Sequence, residues 1–231
     1  MYFAGIMDHF SDAPKMELIV WGSIVGIITT GAFRTRQQFK RARLKNGDVK
    51  PGSTGPRLWS TLAMSGQVSG LILPAVIYCA VIAYNKFHQP EWMREYALPS
   101  PPDVFGVDGV VVGRTVGLLA LLTGTTLGRN AVKALGDQFH GIGVRERSKL
   151  VDSGPFAYVR HPIYTGNLIT GVSFALVFWS YIPLYILPIT IAGHALKMPI
   201  EERMLTEDPD LGREYKLYKL RVPYRIIPYI W

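Results

Sequence analysis

The chain alternates long uncharged apolar runs with short blocks of basic residues. The first two runs cover 18–33 and 59–84, the third covers 110–128 with Arg114 inside it, and a fourth apolar stretch covers 162–196. Runs of this length are typical of helices that cross a bilayer, because a spanning segment must bond every backbone N–H and C=O internally. The pattern predicts an all-α integral membrane protein and argues against a soluble domain.

The fourth apolar stretch is long enough for two spans. The segment Ser180-Tyr181-Ile182-Pro183 divides it at a tight turn, so the last two spans are expected to form a hairpin. Pro162 suits the first position of the fourth helix, and the fifth is expected to continue past Lys197. Pro188 and Pro199 are expected to kink that fifth helix. The sequence thus predicts about five transmembrane helices.

Several residues within the spans carry expectations of their own. Arg114 is expected to snorkel to the membrane interface, the alternative being a position that faces the bundle interior. Three small-xxx-small pairs are expected to seat helices within the bundle or between protomers, namely Gly22–Gly26, Gly66–Gly70 and Gly113–Gly117. The single cysteine, Cys79, excludes a disulfide framework and a multi-cysteine zinc site, and no metal site is expected.

The basic residues are unevenly distributed between the two sides of the predicted bundle. Of the 25 Lys and Arg residues, one precedes the first span, eight lie in 34–57, two in 85–109, six in 129–164 and seven after 196. By the positive-inside rule, the N-terminus is expected outside and the C-terminal tail in the cytoplasm. Topology and attraction to anionic membrane lipids explain the net charge of +8, so no nucleic-acid partner is expected.

The polar segments 129–161 and 197–231 are too long for simple connectors and too short for independent domains. They are expected to form a cytoplasmic C-terminal cap over the inner ends of the helices. We therefore predict a single membrane domain, 1–231, in which 1–110 holds the first two spans and their loops as a variable, substrate-side part.

The densest cluster of chemically useful residues is 153–166, at the start of the fourth span. It combines a Gly-Pro turn, an aromatic pair and an Arg-His-Pro step. A helix that begins at Pro162 has its first free N–H groups and the positive end of its dipole at this segment. A carboxylate or a phosphate is therefore favoured there. The alternative is an interfacial aromatic anchor with Arg160 on the lipid headgroups.

Two further clusters follow along the chain. Glu201 and Glu202 lie just after the fifth span, where they either pair with basic residues of the tail or contact a ligand's ribose hydroxyls or cationic group. The C-terminal segment 215–231 mixes tyrosines, arginines and prolines, a pattern also typical of an amphipathic tail that re-enters the interface.

Together these motifs resemble the isoprenylcysteine carboxyl methyltransferase family, and integral-membrane phospholipid methyltransferases share part of the pattern. The residues that carry the resemblance are Gly154-Pro155-Phe156, Val159-Arg160-His161-Pro162, Tyr164-Thr165-Gly166, Glu201-Glu202, Gly212-Arg213-Glu214-Tyr215, Tyr218 and Arg221-Val222-Pro223. The upstream segments 127–131 and 135–140 also match. The resemblance covers about half of the chain, from Leu118 to the C-terminus, and makes 111–231 a methyltransferase-like core.

The resemblance implies S-adenosylmethionine as the cofactor, bound in a cytoplasmic pocket beneath the C-terminal segment, and a lipophilic acceptor that enters from the bilayer. Carried over by motif, the implied cofactor-binding residues are Gln138, His140, Val151, Gly154, Tyr158, Val159, His161, Pro162, Tyr164, Gly166, Glu201 and Glu202. Arg129 and Arg221 match arginines that face the acceptor, and with Glu202 they form the implied catalytic set.

The chemistry of methyl transfer leaves the acceptor open. In-line displacement from a sulfonium needs alignment and a water-poor pocket rather than a metal or a covalent intermediate. A carboxylate acceptor would be oriented by Arg129 and Arg221 without a base. A thiol or an amine would need His140, His161 or Glu202 to take a proton. The expected partners are a lipophilic small molecule, a lipid or a prenylated substrate, together with membrane lipids.

Two other functions compete with this hypothesis. The segment 222–230 also looks like the ending of NADPH-dependent membrane sterol reductases, whose cofactor phosphate would need basic residues such as Arg145, Arg147 and Lys149. A non-catalytic lipid-binding membrane scaffold is the third possibility. Depending on the source, the expected location is a bacterial inner membrane or the endoplasmic reticulum.

Overall fold

A computed structural model describes residues 13–230 of the chain. Its long helices are α1 (Ala13–Asn46), α2 (Arg57–Tyr84), α3 (Gly109–Leu135), α4 (Pro162–Phe178) and α5 (Ile182–Glu207), followed by the shorter α6 (Gly212–Arg221). Single helical turns occupy Glu91–Arg94, Gly136–Gln138 and Gly154–Ala157. Between residues 13 and 230, β-structure is limited to isolated bridges, so the prediction of an all-α fold is confirmed.

The described residues include three helices, α1, α2 and α3, that are long and apolar enough to cross a membrane, and α4 is a shorter apolar helix. The protein is therefore an integral membrane protein, as predicted. The count of five spans stays a prediction. The N-terminal tail, which is expected outside, falls on residues 1–12, and these lie outside the described residues, as does Trp231.

Local sequence sets the helix ends. Asp108 caps α3, because its carboxylate accepts the backbone N–H groups of Val110 and Val111 at 2.6 and 3.3 Å. Helix α4 begins at Pro162, as predicted, and ends at Phe178; the next residue, Trp179, adopts the left-handed conformation with φ of 53°. Helix α5 starts three residues later, so the predicted tight turn between the fourth and fifth helices is present.

Glycines let neighbouring helices approach closely. A Cβ atom on Gly70 would lie 2.1 Å from the hydroxyl oxygen of Thr190 on α5, and one on Gly117 would lie 2.7 Å from the Cβ of Leu176 on α4. A Cβ atom cannot be accommodated at such distances, so the helices can pack this closely only where glycine lacks a side chain. The pairs Gly66–Gly70 and Gly113–Gly117 therefore seat helices within the bundle, as predicted. The third predicted pair, which begins at Gly22 on α1, has nothing within 4 Å of either glycine.

The expectation that Arg114 snorkels to the interface is wrong. Arg114 is only 6% exposed. It donates hydrogen bonds to Glu17 at 2.7 Å, to the Tyr78 hydroxyl at 3.0 Å and to the backbone carbonyl of Val177 at 2.9 Å. Tyr78 also donates to Glu17, and the Gln89 amide donates to the same carboxylate at 2.9 Å. An opposite charge on α1 and these hydrogen bonds compensate the buried guanidinium, so it need not reach water.

The C-terminal segment packs against the end of the bundle where α4 begins, which we call the basic end. Tyr218 of α6 is buried and donates its hydroxyl to the backbone carbonyl of Phe156 at 2.7 Å. The backbone N–H groups of Arg160 and His161 donate to the carbonyls of Tyr224 and Arg225 at 2.9 and 2.8 Å. These bonds fix the segment after α6 beside the start of α4. That it covers a cofactor pocket stays a prediction.

The α1–α2 loop is tied to the same end. Lys50 donates its backbone N–H to the carbonyl of Val144 at 2.8 Å, and its ammonium reaches Asp208 at 2.7 Å and Asp210 at 2.8 Å. Burial acts to raise the pKa of Asp208, but the Lys50 ammonium and the N–H groups of Leu211 and Asp210 hold that pKa below its ordinary value. The hydrogen bonds that the Lys50 ammonium donates to Asp208 and Asp210 raise the pKa of Lys50.

Candidate active site

A cavity of about 1310 Å³ lies among the long helices and extends to the basic end. Helix α1 packs against the bundle through Val20 and Ile24 and returns to it where Phe39 meets Phe139, with ring centroids 4.7 Å apart. Between these contacts α1 borders the cavity. The volume exceeds the roughly 300–1,000 Å³ of ordinary small-molecule pockets. It therefore has room for more than one ligand.

The wall of the cavity changes character along its length. The part that lies deep among the helices is apolar and is formed by Ile24, Ile28, Leu71, Ile72, Ala75 and Phe174. The part at the basic end is polar and includes His140, Arg160, His161, Tyr164, Lys197 and Glu201. One continuous space thus joins a lipophilic section to a hydrogen-bonding section.

Tyr164 is the centre of the polar section. It donates its hydroxyl to the Glu201 carboxylate at 2.5 Å. Its ring stacks on His161, with centroids 5.2 Å apart, and on His194, with centroids 4.5 Å apart. The Lys197 ammonium lies 3.6 Å from Glu201 and 5.3 Å from the centre of the Tyr164 ring. These contacts hold Glu201 in one orientation at the cavity wall.

Glu202 faces away from the cavity. Its carboxylate is 5% exposed and accepts from Arg160 at 2.9 Å, His161 at 3.2 Å and Arg225 at 3.1 Å. Burial acts to raise the pKa of Glu202, but the hydrogen bonds from His161 and Arg225, with Arg160 close by, hold it well below its ordinary value. Arg160 also donates to the backbone carbonyls of Val222 and Pro223 at 2.8 and 2.6 Å. Glu202 thus ties the polar end of α5 to α4 and to the C-terminal segment.

The predicted site residues divide into two groups. Those that border the cavity are Arg129, Gln138, His140, Val151, His161, Pro162, Tyr164 and Glu201. Those that do not border it are Gly154, Tyr158, Val159, Gly166, Glu202 and Arg221. The roles assigned to both groups by resemblance stay predictions, but the structure gives several members of the second group other contacts.

Gly166 and Arg221 show such contacts clearly. A Cβ atom on Gly166 would lie 2.6 Å from the carbonyl oxygen of Gly124, so this glycine lets α4 pack closely on α3. Arg221 pairs with Asp152 at 2.7 Å, and its side chain is 63% exposed. Tyr158 is 72% exposed.

Two of the predicted cofactor residues, Gln138 and His140, differ in their bonding. The Gln138 side chain bonds within its own loop, to the carbonyl of Arg147 at 3.2 Å and the N–H of Lys149 at 3.1 Å. The Nδ1 atom of His140 is buried and has no hydrogen-bond partner among residues 13–230. Burial lowers the pKa of His140, although the Glu201 charge opposes this. A buried ring nitrogen without a partner among the described residues is therefore left at the cavity wall.

Sequence reasoning missed Lys197, Gln67 and the buried role of Arg160. Lys197 donates to the Gln67 side-chain oxygen at 3.0 Å, and both residues border the cavity. A signal was present in the sequence, because an ionisable residue inside an apolar helix is costly and marks a functional site. Gln67 is likewise a polar residue in the middle of the second apolar run.

Comparison with known proteins places the similarity in the second half of the chain. Residues 112–208 match the family described as phospholipid methyltransferase. Protein-S-isoprenylcysteine O-methyltransferase B of Arabidopsis thaliana is 31% identical over 123 residues, which cover 46% of this chain and 55% of that protein. Protein-S-isoprenylcysteine O-methyltransferase of Homo sapiens is also 31% identical over 123 residues, which cover 38% of the human protein. The chain thus spans about half the length of the plant relative and less of the human one.

Two further proteins are similar to this chain. A probable 7-dehydrocholesterol reductase of Acanthamoeba polyphaga mimivirus is 35% identical over 92 residues, or 38% of this chain and 20% of that protein. A solved structure described as the eukaryotic intramembrane Ras methyltransferase ICMT aligns with 93% of this chain and 68% of its own, with 19% identity and a TM-score of 0.48. The sequence matches confirm the predicted resemblance to isoprenylcysteine and phospholipid methyltransferases.

Proposed function

We propose that this chain, whose second half is similar to isoprenylcysteine and phospholipid methyltransferases, is an integral membrane methyltransferase. Its methyl donor is S-adenosylmethionine and its acceptor is lipophilic. The observation that supports this most is the single cavity whose apolar section among the helices opens into a polar section built from the motif residues. A polar donor and an apolar acceptor need such a shared space, because their reacting atoms must meet in line.

The residues of the polar section fit this cofactor. The carboxylate of Glu201, held by Tyr164, suits ribose hydroxyls or the cofactor's ammonium group. The unpartnered Nδ1 of His140 suits another polar group of the same ligand. When bound, S-adenosylmethionine supplies an activated methyl group on a positively charged sulfur. The chain itself orients the ligands and keeps water from the reacting atoms.

Calorimetric titration of the detergent-purified protein with S-adenosylhomocysteine tests this proposal, with NADPH run in parallel. We expect micromolar binding of S-adenosylhomocysteine and no heat from NADPH. Glu201→Gln should weaken the first by about tenfold, since it removes a charge-assisted hydrogen bond. Binding of neither cofactor by folded protein, even with lipid present, would contradict the proposal and favour a non-catalytic scaffold.

The similarity to the viral reductase keeps an NADPH-dependent reductase as the second candidate. The basic residues that such a cofactor would need are partly engaged already. Arg145 donates to the backbone carbonyls of Gly47 and Phe139 at distances from 2.7 to 3.0 Å, and Arg147 donates to a carbonyl of α1. Binding of NADPH alone, lost in Arg147→Ala/Lys149→Ala and unchanged in Glu201→Gln, would establish this candidate instead.

We further infer that the basic end faces the cytoplasm. The loops and tail at that end carry most of the Lys and Arg residues, as the positive-inside rule requires. A fluorescent protein fused to the C-terminus should fluoresce in bacteria, whereas alkaline phosphatase at the same position should be inactive. The opposite pair of results would show that the C-terminus and the basic end lie outside the cytoplasm.

A further inference from the structure

His194 is a buried histidine of α5 that lies behind the polar section of the cavity. It is 1% exposed, and neither of its ring nitrogens has a hydrogen-bond partner among residues 13–230. It does not border the cavity, so it cannot touch a ligand bound there. Burial of polar atoms without hydrogen bonds costs free energy. A histidine at this position therefore needs an explanation other than ligand contact or hydrogen bonding.

The group that His194 contacts is the ring of Tyr164. Their ring centroids lie 4.5 Å apart and the two planes are within 11° of parallel. Tyr164 also stacks on His161, with centroids 5.2 Å apart and planes within 3° of parallel. Stacked aromatic rings at such distances attract each other in a defined geometry. One imidazole at the start of α4 and one on α5 thus fix the plane of the Tyr164 ring.

One face of α5 contacts Tyr164 along its length. His194, Met198 and Glu201 are spaced by four and three residues, so they lie on the same side of the helix. Met198 packs with Tyr164 in one apolar cluster, and Glu201 accepts the Tyr164 hydroxyl at 2.5 Å. A phenol oxygen lies in the plane of its ring. The plane that His194 helps to fix therefore decides whether the hydroxyl points at Glu201.

Packing against α2 fixes the backbone that carries His194. A Cβ atom on the preceding residue, Gly193, would lie 2.6 Å from the backbone nitrogen of Gln67. One turn earlier, a Cβ atom on Gly70 would lie 2.9 Å from the backbone nitrogen of Thr190. Helices that approach this closely have little freedom to slide or turn. The position of the His194 ring is thus set by helix packing rather than by hydrogen bonds.

We propose that His194 is a positioning residue that acts on the methyl donor through Tyr164 and Glu201. Its ring holds the plane of Tyr164, Tyr164 orients the Glu201 carboxylate, and Glu201 binds the ribose hydroxyls or the ammonium group of S-adenosylmethionine. The proposal rests on the methyltransferase function above. His194 supplies a flat ring and neither a proton nor a hydrogen bond, so a different flat ring can replace it.

The variants His194→Phe and His194→Leu test this assignment. Both remove the ring nitrogens and keep the position filled, but only phenylalanine keeps a flat ring. Binding of S-adenosylhomocysteine is measured by calorimetry in detergent, together with the Tm. In His194→Phe the Kd should stay within about twofold of the wild type and the Tm should not fall, because no unpartnered nitrogen is buried. In His194→Leu the Kd should rise roughly 3- to 10-fold.

A second comparison tests whether His194 acts through Tyr164. Tyr164→Phe lacks the hydroxyl that orients Glu201, so adding His194→Leu to it should raise the Kd by less than about twofold further. The matched control is Phe178→Leu. Phe178 is 3% exposed, stacks on Tyr78 with centroids 3.8 Å apart and does not border the cavity. This variant should lower the Tm and leave the Kd within about twofold of the wild type, since its stacking partner is not Tyr164.

Three results would overturn the assignment and leave the proposed function intact. They are an unchanged Kd in folded His194→Leu, a Kd raised tenfold in His194→Phe, and an effect of His194→Leu that is as large in Tyr164→Phe as in the wild type. Should His194→Leu fail to fold, His194→Met takes its place, because methionine also lacks a flat ring. Absence of S-adenosylhomocysteine binding by the wild type would overturn the proposed function and this assignment together.

Discussion

Glu201 and Glu202 are neighbours in sequence, yet we expect different effects when each is changed to glutamine. Glu202→Gln should mainly lower the melting temperature, and Glu201→Gln should mainly weaken binding of the cofactor. Glu202→Gln removes the buried carboxylate that pairs with Arg160, His161 and Arg225. The Arg160 guanidinium, 7% exposed, keeps its bonds to backbone carbonyls but loses its counter-charge. Loss of one partner from a buried ion pair costs about 3–5 kcal/mol.

That cost converts to a large change in melting temperature. For a domain of this size each kcal/mol corresponds to roughly 2–4 °C, so Glu202→Gln should lower the Tm by about 6–20 °C. Glu207→Gln on the same helix is the matched control, because Glu207 pairs with Arg203 at 2.8 Å and both side chains are more than half exposed. Such a pair contributes at most about 1 kcal/mol, so its Tm should fall by less than about 4 °C.

The assay combines differential scanning fluorimetry with calorimetric binding of S-adenosylhomocysteine in detergent. Glu201→Gln can still accept the Tyr164 hydroxyl, and it loses a longer ion pair, 3.6 Å, with Lys197, which keeps its bond to Gln67. We therefore expect a smaller fall in Tm than in Glu202→Gln, and binding weakened by about tenfold. The reasoning is refuted if Glu202→Gln melts like the wild type while it loses cofactor binding. Glu202 would then contact the ligand directly, as its motif predicts.

The other predictions concern the buried Arg114–Glu17 pair, the Lys50–Asp208 pair at the basic end and the exposed Arg221. Arg114→Met should lower the Tm by about 6–20 °C, and Glu17→Gln/Arg114→Met should be less destabilised because no charge stays unpaired; a double variant that melts lower than the single one would contradict this. The pKa of Asp208 is depressed, so its stabilisation is complete above the ordinary value of 3.8 and is lost as the pH falls below it. The Tm should therefore drop as the pH falls below about 4, and less steeply in Lys50→Met; parallel curves would show that this pair is not responsible. Arg221→Ala should change the Tm and kcat/KM little, since an exposed pair contributes at most about 1 kcal/mol, whereas a hundredfold loss of kcat/KM would support the acceptor-facing role predicted by its motif.

Features that depend on neighbouring residues could be predicted from sequence alone. The start of α4 at Pro162 and the turn before α5 follow from proline geometry and from the break in hydropathy. The apolar runs predicted the long helices, although α1 and α3 extend well beyond the runs because polar residues continue a helix outside the bilayer. The motif residues Tyr164 and Glu201 border the cavity, and the roles that their motif gives them stay predictions.

The sequence by itself therefore determined the long apolar helices, the basic end and the segment whose motif residues border the cavity. Only the tertiary structure decided which neighbour each polar side chain meets. Arg114 faces inwards because α1 brings Glu17 to it from 97 residues away, and Lys197 reaches the cavity beside Gln67 across 130 residues. The partner of a buried charge sets whether burial is tolerated, and that partner lies on another helix. Local patterns cannot specify it, because the packing of whole helices brings the two groups together.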